Sequence, residues 1–202
     1  MSAFTTALGP NGVARRMILF TSPSPRALMS RGDVVITYLR QRERPRYAPQ
    51  GRPPGKVSIL RAEAPPPHFY RYLYDLVGRR WNWTTRKKLS DGDLAAIIHH
   101  PQTYLYVLYV GGVPAGMGEI DAARPPATEI RFFGLSPDFI GKGYGRFFLA
   151  NIVDLAWATN PAEVRIETCT LDHPAALPLY QKFGFTVFDQ QKGVVDLAGA
   201  AD

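Results

Sequence analysis

The stretch Glu129–Gly145, EIRFFGLSPDFIGKGYG, constrains the fold more than any other part of the chain. An apolar strand (Ile130–Leu135) is broken by Ser136-Pro137. Three glycines in five residues follow, at Gly141, Gly143 and Gly145, and an amphipathic helix starts at once. Glycines at a strand-to-helix crossing let successive backbone N–H groups turn toward one point, and the helix N-terminus adds about half a positive charge there. Such a crossing is a phosphate cradle. It is not a P-loop, because no Gly-x-x-x-x-Gly-Lys-Ser/Thr string occurs in the chain. It does not complete the Gly-x-Gly-x-x-Gly dinucleotide fingerprint either. Arg146 stands where the third glycine belongs, and only one strand–helix–strand crossover follows, although Glu167 lies near the ribose-binding distance.

A second motif narrows the choice. After the helix Gly143–Ala158 come a strand, Val164–Thr170, and the segment LDHPAALPLYQKFGF at Leu171–Phe185. The first motif resembles the Gln/Arg-x-x-Gly-x-Gly/Ala loop of the GNAT superfamily of acetyl-CoA-dependent N-acyltransferases. Gly143 and Gly145 fill its glycine positions and Ile140 stands in place of Gln/Arg. The second is similar to that superfamily's Asn-x-x-Ala-x-x-x-Tyr-x-x-x-Gly-Phe hallmark, through Ala176, Tyr180, Gly184 and Phe185, with His173 in the Asn position. The resemblance runs from about Lys56 to Leu197. It implies an α/β (α+β) fold: a mixed central sheet, splayed at a cofactor crevice, with helices on both faces.

The same resemblance implies a set of roles. Acetyl-CoA is the implied co-substrate, and the implied acceptor is a small-molecule or peptide amine. The backbone of Ile140, Gly141, Lys142, Gly143, Tyr144 and Gly145 would hold the pyrophosphate, with Lys142 and Arg146 adding charge. The pantetheine arm would pair with Gly134-Leu135, and His173 would contact the acyl group or CoA. Tyr180 would give a proton to the departing sulfur. A CoA thiol resembles a cysteine, with a pKa of about 8.5 against about 10 for tyrosine, so that transfer is only modestly uphill. An amine with a pKa of about 10.4 must lose a proton before it attacks. Glu129 is the first choice for that base and Glu119 the second, and a solvent-facing strand carboxylate is the plainer account of either.

Aromatic residues outside the motifs suggest an acceptor wall. Trp81 and Trp83 lie in a basic loop. Tyr70 and Tyr74 lie on an expected helix, His68–Val77, opened by Pro65-Pro66-Pro67. That helix offers two apolar stripes, Phe69–Tyr72–Leu73–Leu76 and Tyr70–Tyr74–Val77, so it is either sandwiched in the core or faces an apolar acceptor pocket. Ser90 and Asp93 form a capping pattern for the next helix. Gly111-Gly112 joins the strands Tyr104–Val110 and Ala115–Ile120. Val34–Leu39 and Val57–Arg61 read as strands, Arg40–Gly55 as a Pro/Arg-rich loop, and Thr186–Asp189 with Val194–Leu197 as a closing hairpin. On the helix Gly143–Ala158 the flank of Ala150, Val153 and Trp157 marks a candidate surface for a homodimer.

Charge separates this body from its leader. The net charge of +7 resides in residues 1–55, where nine arginines face two acids, and the remaining basic and acidic residues balance. The body is therefore neutral, and nucleic acid is not its expected partner. Residues 1–32 read as a structureless or overlong leader and 33–202 as one domain. The single cysteine, Cys169, forms no internal disulfide and no cysteine zinc cage. His99-His100 has no partner cluster, so no metal is expected. No apolar run of transmembrane length occurs, and a cytoplasmic protein is expected. Two other readings stay open: a non-catalytic acyl-CoA-binding or sensing module, and a nucleic-acid-associated protein using the basic arm.

Overall fold

The computed structural model describes residues 31–46 and 50–197. The leader expected over residues 1–32 lies almost wholly outside them, as do the centre of the Pro/Arg-rich loop and the last five residues. The element order is β1 (Arg31–Gln41), β2 (Val57–Ala62), α1 (Pro67–Gly78), α2 (Asp91–Ile98), β3 (Thr103–Val110), β4 (Val113–Asp121), β5 (Ala127–Leu135), α3 (Tyr144–Trp157), β6 (Glu163–Cys169), α4 (Ala176–Lys182) and β7 (Thr186–Asp196). All seven strands form one mixed sheet in the order β2-β3-β4-β5-β6-β1-β7. Its parallel pair is β5 with β6.

Each face of the sheet is covered by its own helices. α1 and α2 pack with Leu105, Val107 and Met117 on one side. α3 and α4 pack with Leu108, Ala115, Ile130, Val164 and Ile166 on the other. α1 begins with Pro67 at its first position, where no intrahelical N–H is needed. It buries Tyr70, Leu73, Tyr74 and Val77, spaced at i, i+3, i+4 and i+7. Of the other stripe, Leu73 is buried with these, Phe69 and Leu76 are half-buried, and Tyr72 is 52% exposed. α2 is capped as its sequence implies, Asp93 N donating to Ser90 Oγ at 3.1 Å. Gly111 and Gly112 both take positive φ in the two-residue turn between β3 and β4.

Three expectations are corrected. The closing hairpin is one continuous strand, β7, because β1 supplies a partner along almost its whole length, from Arg31↔Asp196 to Arg40↔Thr186. A bulge at Phe188 absorbs the shift between Tyr38↔Asp189 and Leu39↔Val187. Arg40 and Gln41 belong to β1 rather than to the loop. Gln41 is buried, donating to Phe183 O at 2.6 Å and accepting from Trp157 Nε1 at 2.8 Å, so it ties the ends of α3 and α4 together. Finally, the α3 flank considered for a homodimer is interior. Ala150 and Val153 are buried in the core of this chain, and Trp157 is half-buried on Gln41.

Candidate active site

The sheet opens into a fork between β5 and β6. Their parallel register runs from Ala127↔Glu163 to Ile130↔Ile166 and stops there. On the other side of β5, Glu119 pairs with Phe132 and Ile120 with Ile130, so Arg131 is an unpaired bulge residue where the fork begins. A cleft of about 710 Å³ fills the opening, within the usual range for a small-molecule site. Phe132, Phe133, Gly134 and Leu135 form one wall, and Glu167, Thr168 and Cys169 form the other.

The glycine loop closes one end of this cleft. Ile140, Gly141, Gly143, Gly145 and Arg146 line it; Lys142 and Tyr144 do not. Lys142 Nζ lies 5.7 Å from the Phe139 ring centroid, and Tyr144 packs on the same ring. Gly141 and Gly143 have φ of 80° and 86°, and an added Cβ would meet nothing within 4 Å at either. Glycine is needed at these two positions for backbone conformation rather than for room. Gly143 is the N-cap of α3; it provides no side-chain cap, and no acid lies in the first turn. The first N–H groups of this 14-residue helix are therefore left for an anion.

Tyr180 stands on α4 and lines the same cleft, packed between Phe133 and Phe185. The residue is 6% exposed, and among the described residues no hydrogen bond engages its hydroxyl. The one buried side-chain polar atom without a partner among those residues is Arg86 Nε, so the Tyr180 hydroxyl opens to the cleft. Burial, then the Asp172 carboxylate, push the phenol well above its ordinary pKa and keep it protonated. Asp172 accepts from Thr168 Oγ1 at 2.8 Å and Cys169 N at 2.9 Å, fixing the turn out of β6.

The roof comes from the segment after α1. Trp81, Trp83 and Tyr74 all line the cleft, as does His173, whose ring meets Trp81 edge-on at 5.2 Å. Tyr74 is held by Thr85 Oγ1 at 3.0 Å and by the rings of Trp83 and Phe132. Tyr70 lies behind this wall and does not line the cleft. Its hydroxyl donates to Glu119.

Neither carboxylate singled out from the sequence lines the large cleft. Glu119 is fully buried and also takes Arg86 Nη2 at 2.6 Å, a pair that ties the roof to β4. Glu129 pairs with Arg131 at 2.5 Å and lines a smaller adjoining cavity. Two carboxylates do line the cleft: Asp172, which is tied to Thr168 and Cys169, and Glu167, which the sequence marked only by its distance from the glycine loop. Its signal was the alternation of β6: Val164, Ile166 and Thr168 are buried, leaving 167 to face the other way. Among the described residues no cluster of three or more His, Cys, Asp and Glu is positioned for a metal. No helix among them is long and apolar enough to cross a membrane.

Comparison with known proteins bears on this arrangement directly. The model of the acetyltransferase (GNAT) family matches residues 58–185, which include the fork, the glycine loop and Tyr180. The chain belongs to the GNAT acetyltransferase family. A search of curated proteins returns no match. Among solved structures, this GNAT chain is similar to a functionally unknown conserved protein from Staphylococcus epidermidis (15% identity, 83% of this chain and 64% of that one, TM-score 0.56). It is similar to a tandem GNAT protein from the clavulanic acid biosynthesis pathway (14% identity, 98% and 64%, TM-score 0.56). It also resembles an aminoglycoside acetyltransferase from an uncultured soil metagenomic sample (13% identity, 63% and 86%, TM-score 0.53). These likenesses are of fold, and the chain spans less than two thirds of the first two proteins' length.

Proposed function

We propose that this GNAT chain is an N-acetyltransferase that moves an acetyl group from acetyl-CoA to an amine by direct attack, with both substrates held at the fork. One observation carries the reading. A left-handed glycine loop at an uncapped helix N-terminus and a protonated, unpartnered tyrosine open into the same cleft. The residues fit CoA. The amides of 141–145 and Arg146 offer positive charge to a diphosphate, and the edge of β5 at Gly134-Leu135, unpaired on its β6 side, offers hydrogen bonds to an amide-bearing arm. Acetyl-CoA bound there supplies an activated acyl carbon and a sulfur leaving group.

The chain's own groups do the rest. Tyr180 holds its proton at neutral pH and donates a hydrogen bond where negative charge develops on sulfur. Trp81, Trp83 and Tyr74 exclude water from one side, and His173 is braced against Trp81 to contact the acyl group. Tyr180→Phe tests the assignment: kcat falls by about a hundredfold while the Kd for CoA is unchanged. Unchanged turnover would remove Tyr180 as the acid.

A second reading, an acyl-CoA-binding or sensing module without catalysis, draws on the pairing of Glu119 and Glu129 with arginines. Stoichiometric CoA binding with no acetylation across a broad amine panel would establish it. Most of the basic arm at residues 1–55 lies outside the described residues. A role for it in nucleic-acid binding is tested by whether the full chain shows salt-sensitive binding to DNA or RNA that deletion of the arm removes.

A further inference from the structure

We infer that the smaller cavity beside the fork is the amine's port of entry and that Glu167, on the wall shared by the two cavities, takes the amine's proton. The inference rests on the acetyltransferase reading and adds to it a base and an acceptor class. The smaller cavity is about 340 Å³, near the low end for a ligand site. It shares Ile130, Arg131, Ile166 and Glu167 with the large cleft. Ile130↔Ile166 is the last paired position of β5 and β6, so Arg131 and Glu167 are the first residues beyond it, where the two cavities meet.

The nearby carboxylates are otherwise engaged. Glu119 is held by Tyr70 and Arg86, Glu129 by Arg131, and Glu163 by Arg165. Asp172 accepts from Thr168 and Cys169, and Asp189 from Gln190 N at 2.8 Å and Gln191 Nε2 at 3.0 Å. Among the described residues, no hydrogen bond or ion pair engages the Glu167 carboxylate. The charged and titratable groups around it are Arg131 and Glu129 from β5, Arg165 and Cys169 on its own strand, Asp172 after β6, Asp189 from β7, and Tyr38, its register partner on β1. Glu167 is exposed at the port, yet the cleft walls desolvate it enough to raise its pKa; Arg131 opposes that, while Glu129 and Asp172 add to it. Tyr38 is also raised, by burial and then by the Glu167 and Asp189 carboxylates. A carboxylate shifted toward neutrality is a better match for an ammonium proton than an ordinary one.

The walls of the port define what enters. Tyr38 and Phe188, with ring centroids 6.3 Å apart, give it an aromatic side. Glu167 gives it a charged end at the fork. Glu129, Arg131, Arg165, Asp189 and Gln191 line the rest, and the Arg40 and Arg165 guanidiniums lie over the Phe188 ring, so the combination takes a primary amine on a slender stem that can also hydrogen-bond. The amine arrives as an ammonium, attracted by Glu167, and passes one proton to the carboxylate. Its freed lone pair forms the N–C bond as the C–S bond breaks. Of the ammonium's two other protons, one stays on the product amide and the other leaves the nitrogen to re-protonate the Tyr180 phenolate left when Tyr180 gives its proton to sulfur. Glu167 returns its proton to solvent through the port.

The test uses the full chain saturated with CoA, glutamate labelled with ¹³C at the carboxyl, and two probes, n-butylamine and Nα-acetyl-lysinamide. The Glu167 resonance, identified by its loss in Glu167→Gln, is expected to titrate above the usual value of about 4.3 and to move when a probe is added. Movement with butylamine alone marks a small-molecule acceptor, and movement with the lysine derivative marks a side chain. With whichever amine is acetylated, Glu167→Gln lowers kcat by about a hundredfold near pH 7, and the deficit narrows as pH approaches the amine's own pKa, where no base is needed. A Glu167 signal with an ordinary titration and no response to either probe, or a pH-independent deficit, overturns the inference. Failure of the wild-type chain to bind CoA overturns the acetyltransferase reading instead.

Discussion

Glu119 and Glu167 lie on the strands that flank β5, and they are kept in opposite conditions. Glu119 is 0% exposed, closed in by α1 and matched by Tyr70 and Arg86. Glu167 lies beyond the end of the β5–β6 pairing, open to two cavities and without an ion-pair partner among the described residues. A fully enclosed carboxylate must be matched, because an unpaired charge in the interior is far costlier than one in water. Once matched it holds the structure together, but it cannot readily exchange a proton. An unmatched carboxylate contributes little to stability and remains available for chemistry. The fork separates these two tasks on either side of a single strand.

The sharpest way to break this contrast is Glu119→Gln. It leaves Arg86 buried without a countercharge and should cost about 3 kcal/mol. Thermal melting would then show a Tm lower by about 6–12 °C for a chain of this size. A Tm within a degree of wild type would mean that the pair is incidental.

The glycines carry the same division and give the next two tests. A Cβ at Gly116 would lie 2.7 Å from Gly134 O and 2.8 Å from Leu135 Cδ2, where β4 and β5 pair under α3. Gly116→Ala should therefore cost about 1–3 kcal/mol of stability, read from urea unfolding. At Gly143 the added methyl has room, but φ of 86° does not suit alanine. Gly143→Ala should cost about 1–2 kcal/mol and weaken CoA binding about tenfold by calorimetry, as the amides turn away. If Gly116→Ala weakened CoA more than Gly143→Ala did, the division would fail.

The smallest effect tests the open side. The folded-state pKa of Glu167 is raised, so the folded chain holds that proton more tightly than the unfolded chain does. Its contribution to stability is fully present below the unfolded value of about 4.3 and is lost as pH rises through the folded value. Glu167→Gln should thus leave Tm unchanged at low pH and raise it slightly at pH 7. Solvent screening in the open cleft keeps the gain small. A lower Tm at pH 7 would mean that Glu167 is a matched group like Glu119.

Much of the site was legible in order along the chain because its physics is local. Gly141 and Gly143 are written into the sequence by the backbone angles that their turn demands. Tyr180 is marked by the motif it shares with Ala176, Gly184 and Phe185, which resembles the family's second hallmark and is written within a short stretch. The Ser90 cap and the Gly111-Gly112 turn were readable for the same reason. The base was not. Glu129 ranks before Glu119; Arg131, two residues on and on the same strand face, is a local partner for Glu129, whereas nothing within a few residues of Glu119 announces Arg86.

The sequence alone therefore carried the resemblance to the family, the glycine-rich strand-to-helix crossing and the expectation for Tyr180, since each of these motifs is written over a short stretch of chain. Only the folded chain decided that β1 inserts between β6 and β7 and turns an expected hairpin into one strand. It also decided that Ala150 and Val153 are core and that Glu167 is left unmatched at the fork. Those outcomes depend on which distant segments meet, and pairing and burial are properties of contacts that no local pattern encodes.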